Sequence, residues 1–161
     1  MELLPNELEN IIKEYIIYKP KTKGELQESI DLWCTNKNKA LKKYGHISLW
    51  DTSLIKDMSY LFDDKKDFND NINNWNVSSV INMHSMFWNA HSFNQPLYSW
   101  NVSSVTDMHS MFDNASSFNQ SLNSWNVPSE NDIVEWGTYT YCMFNKADSF
   151  DKNNASWYNF D

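Results

Sequence analysis

The sequence predicts an α/β repeat solenoid: a stack of about four coils with short parallel strands, capped by N-terminal helices. Three observations lead there. The tripeptide Trp-Asn-Val begins at Trp75, Trp100 and Trp125, 25 residues apart each time. Phe68, Phe93 and Phe118 keep that interval, as do Met58, Met83 and Met108. A fixed period of roughly 20 to 50 residues marks an array whose units bury their apolar faces only against one another. The segment ahead of the repeats carries helical spacing instead, and so reads as the end cap such an array needs.

Residues 1–46 are that cap. Leu8, Ile11, Ile12, Tyr15 and Ile16 fall on one stripe of a first helix, with Pro5 in its opening turn and Pro20 closing the segment. Thr22-Lys-Gly-Glu25 has the form of a capping box. Behind it Leu26, Ile30, Trp33 and Cys34 make a second stripe. A third short helix carries Ala40, Leu41 and Tyr44, with Lys42 and Lys43 in its last turn and Gly45 as its stop.

The repeat domain is 47–161. Its units are 50–74, 75–99, 100–124 and 125–156, the last seven residues longer, with a stub at 157–161. The extra residues lie between Val127 and Tyr141. In each unit the trace Leu97-x-x-Trp100-x-Val102 alternates from Trp to Val as a strand does, and it matches the L-x-x-L-x-L spacing of leucine-rich repeats. The remainder, Val105-x-x-Met108-x-x-Met111-Phe112-x-x-Ala115-x-x-Phe118, steps in threes, as a short helix or 3₁₀ return would.

These units, Phe93-Asn-Gln-Pro-Leu97…Trp100-Asn-Val-Ser-Ser-Val-Thr-Asp-Met108…Met111-Phe112…Ala115…Phe118-Asn-Gln120, resemble the BspA-like repeats of bacterial surface proteins and of algal and giant-virus proteins. The lead-in Thr22-Lys-Gly-Glu-Leu26…Trp33-Cys34…Tyr44-Gly-His-Ile47 looks like the algal and large-virus version. The resemblance implies a leucine-rich-repeat-like fold, a role in attachment or protein binding, and no catalytic residues. Leu4-Pro5-Asn-Glu-Leu8-Glu-Asn-Ile11-Ile12 also resembles the first helix of an F-box.

Charge narrows the function. Residues 47–161 hold five Lys against fourteen acids, and the chain has no Arg. An acidic array without guanidinium groups is wrong for phosphate counterion release and for an anionic membrane surface, so neither nucleic acid nor membrane insertion is expected. Met1-Glu2-Leu3-Leu4-Pro5 has no basic n-region and predicts no signal peptide. No apolar run approaches the roughly 18 residues of a membrane span. Cys34 and Cys142 form no CxxC motif and read as free core thiols. An intracellular, cytoplasmic protein is expected; five Asn-x-Ser sequons, at Asn76, Asn101, Asn114, Asn119 and Asn154, fall in Asn/Ser-rich repeats where chance supplies them.

Chemistry-bearing constellations are sparse. His84 and His109 are equivalent and should stack, in a ladder running from Ser59 to Tyr141. No Cys or carboxylate completes a metal shell, so they read as a polar ladder. Asn69, Asn94, Asn119 and Asp151 read as a ladder satisfying turn backbone. Met83, Met86, Met108 and Met111 keep phase with Phe and Ala and read as core. No catalytic motif is present, and no enzyme, cofactor or metal is predicted.

What remains is surface. The strand positions facing away from the core are Asn74, Asn76, Tyr98, Ser99, Asn101, Asn123, Ser124 and Asn126, a candidate binding face. The insertion adds Trp136, Tyr139 and Tyr141, residue types enriched at hot spots, which serve equally as an end cap. The predicted function is a non-catalytic protein-interaction module with a protein partner. Two alternatives are an F-box-like adaptor of a ubiquitin ligase, docking through its first helix, and a structural component of a larger assembly.

Overall fold

A computed structural model describes residues 17–127 and 139–160. The predicted first helix with Leu8 and Ile12, and Trp136 of the insertion, lie outside the described residues.

The first described helix, α1 (Lys23–Thr35), starts where the sequence places it. Thr22 Oγ1 accepts from the Glu25 N–H at 3.2 Å. The Glu25 carboxylate reaches back one residue further than a standard capping box, accepting from the Lys21 N–H at 2.7 Å. Asn36 ends α1 and begins α2 (Lys37–Tyr44): its N–H donates to Leu32 O, and its side chain accepts from the Lys39 N–H. Gly45, at φ 71°, stops α2 in a conformation that favours glycine. Leu26, Ile30, Trp33 and Ala40 are buried against the first repeat, whereas Leu41 and Cys34 are exposed. The predicted stripe is therefore narrower than four residues, and Cys34 is not a core thiol.

From Ile47 onward the chain is built of turns. Most pairs of apolar residues three apart close one: around Trp100, the N–H groups of Trp100, Val105, Met111, Ala115 and Phe118 donate to the carbonyls of Leu97, Val102, Met108, Phe112 and Ala115, while the Met108 N–H goes to Tyr139 O of the next ridge. The spacing that suggested a helical return is the spacing of turn corners, the first and fourth residues of successive β-turns. All of these corner residues are buried.

The parallel-strand, leucine-rich-repeat-like solenoid predicted from the sequence is not what forms. Among the described residues there is no sheet. Parallel pairing is confined to isolated bridges, Asp57↔Asn82, Asn82↔Asp107 and Asp107↔Tyr139. The Trp-x-Val segments expected to be strands take no part in these bridges, for two physical reasons. The Trp75 N–H is spent on Ile72 O within its own turn. The same Ile72 carbonyl also accepts the indole N–H of Trp100, the next tryptophan of the column after Trp75, at 3.2 Å. A carbonyl committed twice has no ladder to join.

Backbone pairing between units runs instead along a ridge comprising residues 57–64, 82–89, 107–114 and 139–146. The N–H groups of Met83, Ser85, Phe87 and Asn89 donate to Asp107, His109, Met111 and Asp113 carbonyls at 2.7–3.0 Å, and the same rhythm joins the other ridges. Two residues per ridge adopt positive φ: Tyr60 and Asp64, Ser85 and Asn89, Ser110 and Asn114, Cys142 and Lys146. Alternating these left-handed residues with ordinary ones bends the ridge too sharply to be a strand.

Between turns, rings stack in columns. Phe62, Phe87, Phe112 and Phe144 lie 5.3, 5.4 and 5.7 Å apart and within 4° of parallel. Phe68, Phe93, Phe118 and Phe150 follow at 5.8 Å steps. Trp100, Trp125 and Trp157 step by 6.3 Å. At one end α1 covers the column. Lys23 pairs with Asp57 at 3.2 Å, Gln27 Nε2 donates to Leu61 O at 3.1 Å, Asp31 pairs with Lys65 at 2.6 Å, and Trp33 Nε1 donates to Asp70 at 2.8 Å. At the other end Tyr158 and Phe160 pack over Phe144.

Candidate functional site

The buried tryptophans organise the candidate face. Trp75, Trp100, Trp125 and Trp157 each donate Nε1–H to the carbonyl three residues ahead of the preceding tryptophan of the column, those of Ile47, Ile72, Leu97 and Leu122, at 2.8–3.2 Å. With each Trp pinned inward, the residues on either side of it must point out. Asn74, Asn76, Tyr98, Ser99, Asn101, Asn123, Ser124 and Asn126 are all exposed. They share this surface as turn residues, not as the outward positions of strands.

Five of the eight side chains are occupied in holding the fold. Asn76 and Asn101 accept from the N–H two residues on, at Ser78 and Ser103, closing their own turns. The Ser99 hydroxyl accepts from Asn73 Nδ2, and its N–H donates to Asn73 Oδ1. Asn123 ties to Ser156 N and Asn153 O, and Ser124 Oγ donates to Tyr98 O at 3.0 Å.

Asn74, Tyr98 and Asn126 are different: their side chains bond to nothing among the described residues. For Asn126 the reason is in the sequence. The residue two positions on is Pro128, which has no N–H to donate. Tyr98 occupies the register position at which Asn73 and Asn123 staple adjacent units. Its ring cannot do so, and it stands 63 % exposed.

Beside Asn74 and Asn76 lies an open cleft of ≈ 590 Å³, lined also by Ile17, Lys19, Leu49 and Asp51. Leu49 is 63 % exposed, and sequence reasoning missed it. The signal was present: its equivalents one, two and three units on are Asn74, Ser99 and Ser124, so Leu49 is an apolar residue in a polar register. Lys19 and Asp51 pair at 2.7 Å along the cleft. Burial pushes the Asp51 carboxyl up, but hydrogen bonds from Lys19 and Ser53 outweigh it and hold it below its ordinary value.

Tyr139 and Tyr141 lie elsewhere, on the ridge side, where both are exposed. Tyr141 continues a column of rings, Tyr60, His84, His109 and Tyr141, at 5.0, 5.1 and 5.5 Å. The predicted ladder thus exists, with Tyr60 in place of Ser59 at its head. His84 Nδ1 is 3.9 Å from Asp107; among the described residues no three His, Cys, Asp or Glu side chains converge. The Asn ladder holds turn backbone: Asn69, Asn94 and Asn119 each accept the N–H of their equivalent one unit on at 2.9–3.0 Å. Cys34, although exposed at the surface, borders a separate cleft with Lys37 and Lys65, where the surrounding atoms desolvate the sulfur and push its thiol up to about 11; a thiol so rarely ionised is a poor nucleophile.

Comparison with known proteins gives one family. Residues 31–157 match the family described as "Mycoplasma protein of unknown function, DUF285", which covers well over half of the chain. No curated protein matches, and no solved structure matches. Among the described residues no helix is long and apolar enough to cross a membrane.

Proposed function

We propose that this chain, which belongs to the DUF285 family, is a non-catalytic protein-interaction module that holds a protein partner against its tryptophan-backed face. One observation carries the reading. At the register position where Asn73 and Asn123 staple neighbouring units, Tyr98 gives up the staple and presents an exposed ring. Tyrosine supplies large, rigid, amphipathic contact area, and is enriched at hot spots for that reason. Asn74 and Asn126 add amides that bond to nothing among the described residues, and Leu49 and Ile17 add an apolar cleft for an anchoring side chain. The resemblance of the units to BspA-like repeats points the same way, since protein binding is a role assigned to that family. Two free thiols, one of them exposed, suit a reducing, intracellular compartment.

The test separates binding from folding. Tyr98→Asn should restore a staple and so leave thermal stability unchanged or raised, while abolishing capture of the partner by a photo-crosslinker placed at position 74. Asn101→Ala should do the reverse, lowering stability by about 1 kcal/mol through loss of its turn bond while keeping the crosslink. Undiminished capture by Tyr98→Asn would remove this face as the site.

A further inference from the structure

The ridge is an edge-pairing device, and its two ends are treated differently. Three times along the column, alternate N–H groups of one ridge are met by carbonyls of the next. The donors at 58, 60, 62 and 64 meet the carbonyls of 82, 84, 86 and 88, and the same happens at the following two ridges. At the N-terminal end the exposed edge is one of carbonyls, and α1 substitutes for a missing unit there: Gln27 donates to Leu61 O, and Lys23 contacts Asp57 and Ser59. At the C-terminal end the exposed edge is one of donors. The N–H groups of Thr140, Cys142, Phe144 and Lys146 stand where those of Met108, Ser110, Phe112 and Asn114 stand one unit earlier, and they donate to no acceptor among the described residues. Tyr158 and Phe160 cover the Phe144 ring, with the Tyr158 hydroxyl against the Met143 N–H, and Thr140, Cys142 and Phe144 line a cleft of ≈ 470 Å³ beside them.

We propose that this donor edge is a second docking site, and that it takes a peptide segment of a partner protein that adds itself as a further ridge. The chemistry of the occupant is fixed by the three ridges already filled. It must offer backbone carbonyls at alternate residues, as Tyr139, Tyr141, Met143 and Asn145 do for the ridge before them. It must also tolerate two left-handed residues four apart, which favours Asn, Asp, Ser or Gly. A ring placed level with Tyr141 would extend the Tyr60–His84–His109–Tyr141 column: one side of Tyr141 stacks on His109, and the residue is 73 % exposed. Main-chain pairing supplies affinity and the flanking side chain supplies selection, the division of labour in edge-addition complexes. A second copy of this chain is disfavoured as the occupant, because α1 lies at its own carbonyl edge, with Gln27 on the Leu61 carbonyl and Lys23 on the Asp57 and Ser59 side chains. The site is independent of the Tyr98 face and stands or falls separately.

The probe is a synthetic peptide of residues 106–118, whose counterpart in the chain fills the ridge at 83–89. It is added to the full chain, and amide hydrogen exchange is followed residue by residue. Exchange at Thr140, Cys142, Phe144 and Lys146 should slow by about tenfold or more at saturation, with no equivalent change at 74, 98 or 126. A scrambled peptide should do nothing. As a second readout in a Cys34→Ser background, the peptide should slow alkylation of Cys142. Absence of binding, or binding without that alternating protection, overturns the proposal. So does protection of all four amides before peptide is added: if it appears only at high protein concentration the edge pairs with a second copy, and if at every concentration the chain fills it from within.

Discussion

Phe87 lies between Phe62 and Phe112 with rings within 2° of parallel, and against Phe93 of its own unit at 4.1 Å. Offset stacking of this kind adds to the gain from burying the ring itself. Phe87→Ala should therefore cost about 3–5 kcal/mol, and Phe144→Ala less, because Phe144 has a full repeat on one side only. Urea unfolding followed by tryptophan fluorescence checks both; equal losses would mean that stacking across units contributes little. At this scale the sequence was largely legible. Phase alone placed Met83, Met86, Met108 and Met111 in the core, where all are fully buried. Tyr98 and Asn126 were on the right surface, but their distinction from Asn76 and Asn101 needed the hydrogen-bond partners. Cys34 was misplaced because helical spacing gives the direction of a stripe and not its width. Asp63 carries a buried carboxylate oxygen with no partner among the described residues, and burial raises its carboxyl above the ordinary value, which the run Asp63-Asp64-Lys65-Lys66, in sequence a solvated turn, does not disclose.

Among elements, the instructive case is the segment from Leu97 to Val102, read as a strand and found as one turn and the first corner of the next. Alternation of Trp and Val is common to both, because a residue between two buried turn corners also faces out. What decides is where backbone groups find partners, and here a side chain, the indole of Trp125, claims the Leu97 carbonyl a sheet would need. Helix α1 shows the opposite: Thr22 and Glu25 announced its start. Its polar stripe Lys23, Gln27 and Asp31, at spacings of four, was equally present in the sequence and turns out to be its grip on the first repeat. That grip titrates. Burial pushes the Asp57 carboxyl up, but bonds from Ser59 and the ammonium of Lys23 outweigh it, leaving it below its ordinary value. A carboxyl depressed by folding contributes stability that is complete above its unfolded pKa of about 3.9 and is lost as pH falls through the lower folded value. Stability should thus fall off below about pH 4, and Asp57→Asn should flatten part of that decline while lowering stability at neutral pH. A decline of unchanged depth in Asp57→Asn would assign the acid sensitivity to other groups.

For the whole molecule, the period is the property that matters. Ring columns, indole bonds, amide ladder and ridge all repeat at 25 residues until the insertion, so each unit is interchangeable with its neighbour. Deleting residues 76–100, one whole period, should leave a shorter chain that still unfolds cooperatively, with a smaller urea dependence in keeping with less buried surface. Deleting residues 76–88 breaks every column at once and should abolish the transition. Survival of the second deletion would show that the units do not depend on register. The period and the cap were readable because they rest on side-chain identity; the absence of a sheet was not, because it rests on backbone bonding.

The ridge bonds named above also share a direction, from the N–H of an earlier unit to the carbonyl of a later one. Peptide dipoles aligned head to tail add, as they do along an α-helix. A smaller set of bonds runs the other way, such as Thr106 N–H to Ile81 O and Ser117 N–H to His91 O, and reduces the sum without cancelling the ridge's own polarity. The column therefore has a partial negative pole at residues 57–63, where Lys23 sits, and a partial positive pole at residues 140–146, inside an otherwise acidic repeat domain. Its two ends would be told apart by charge alone.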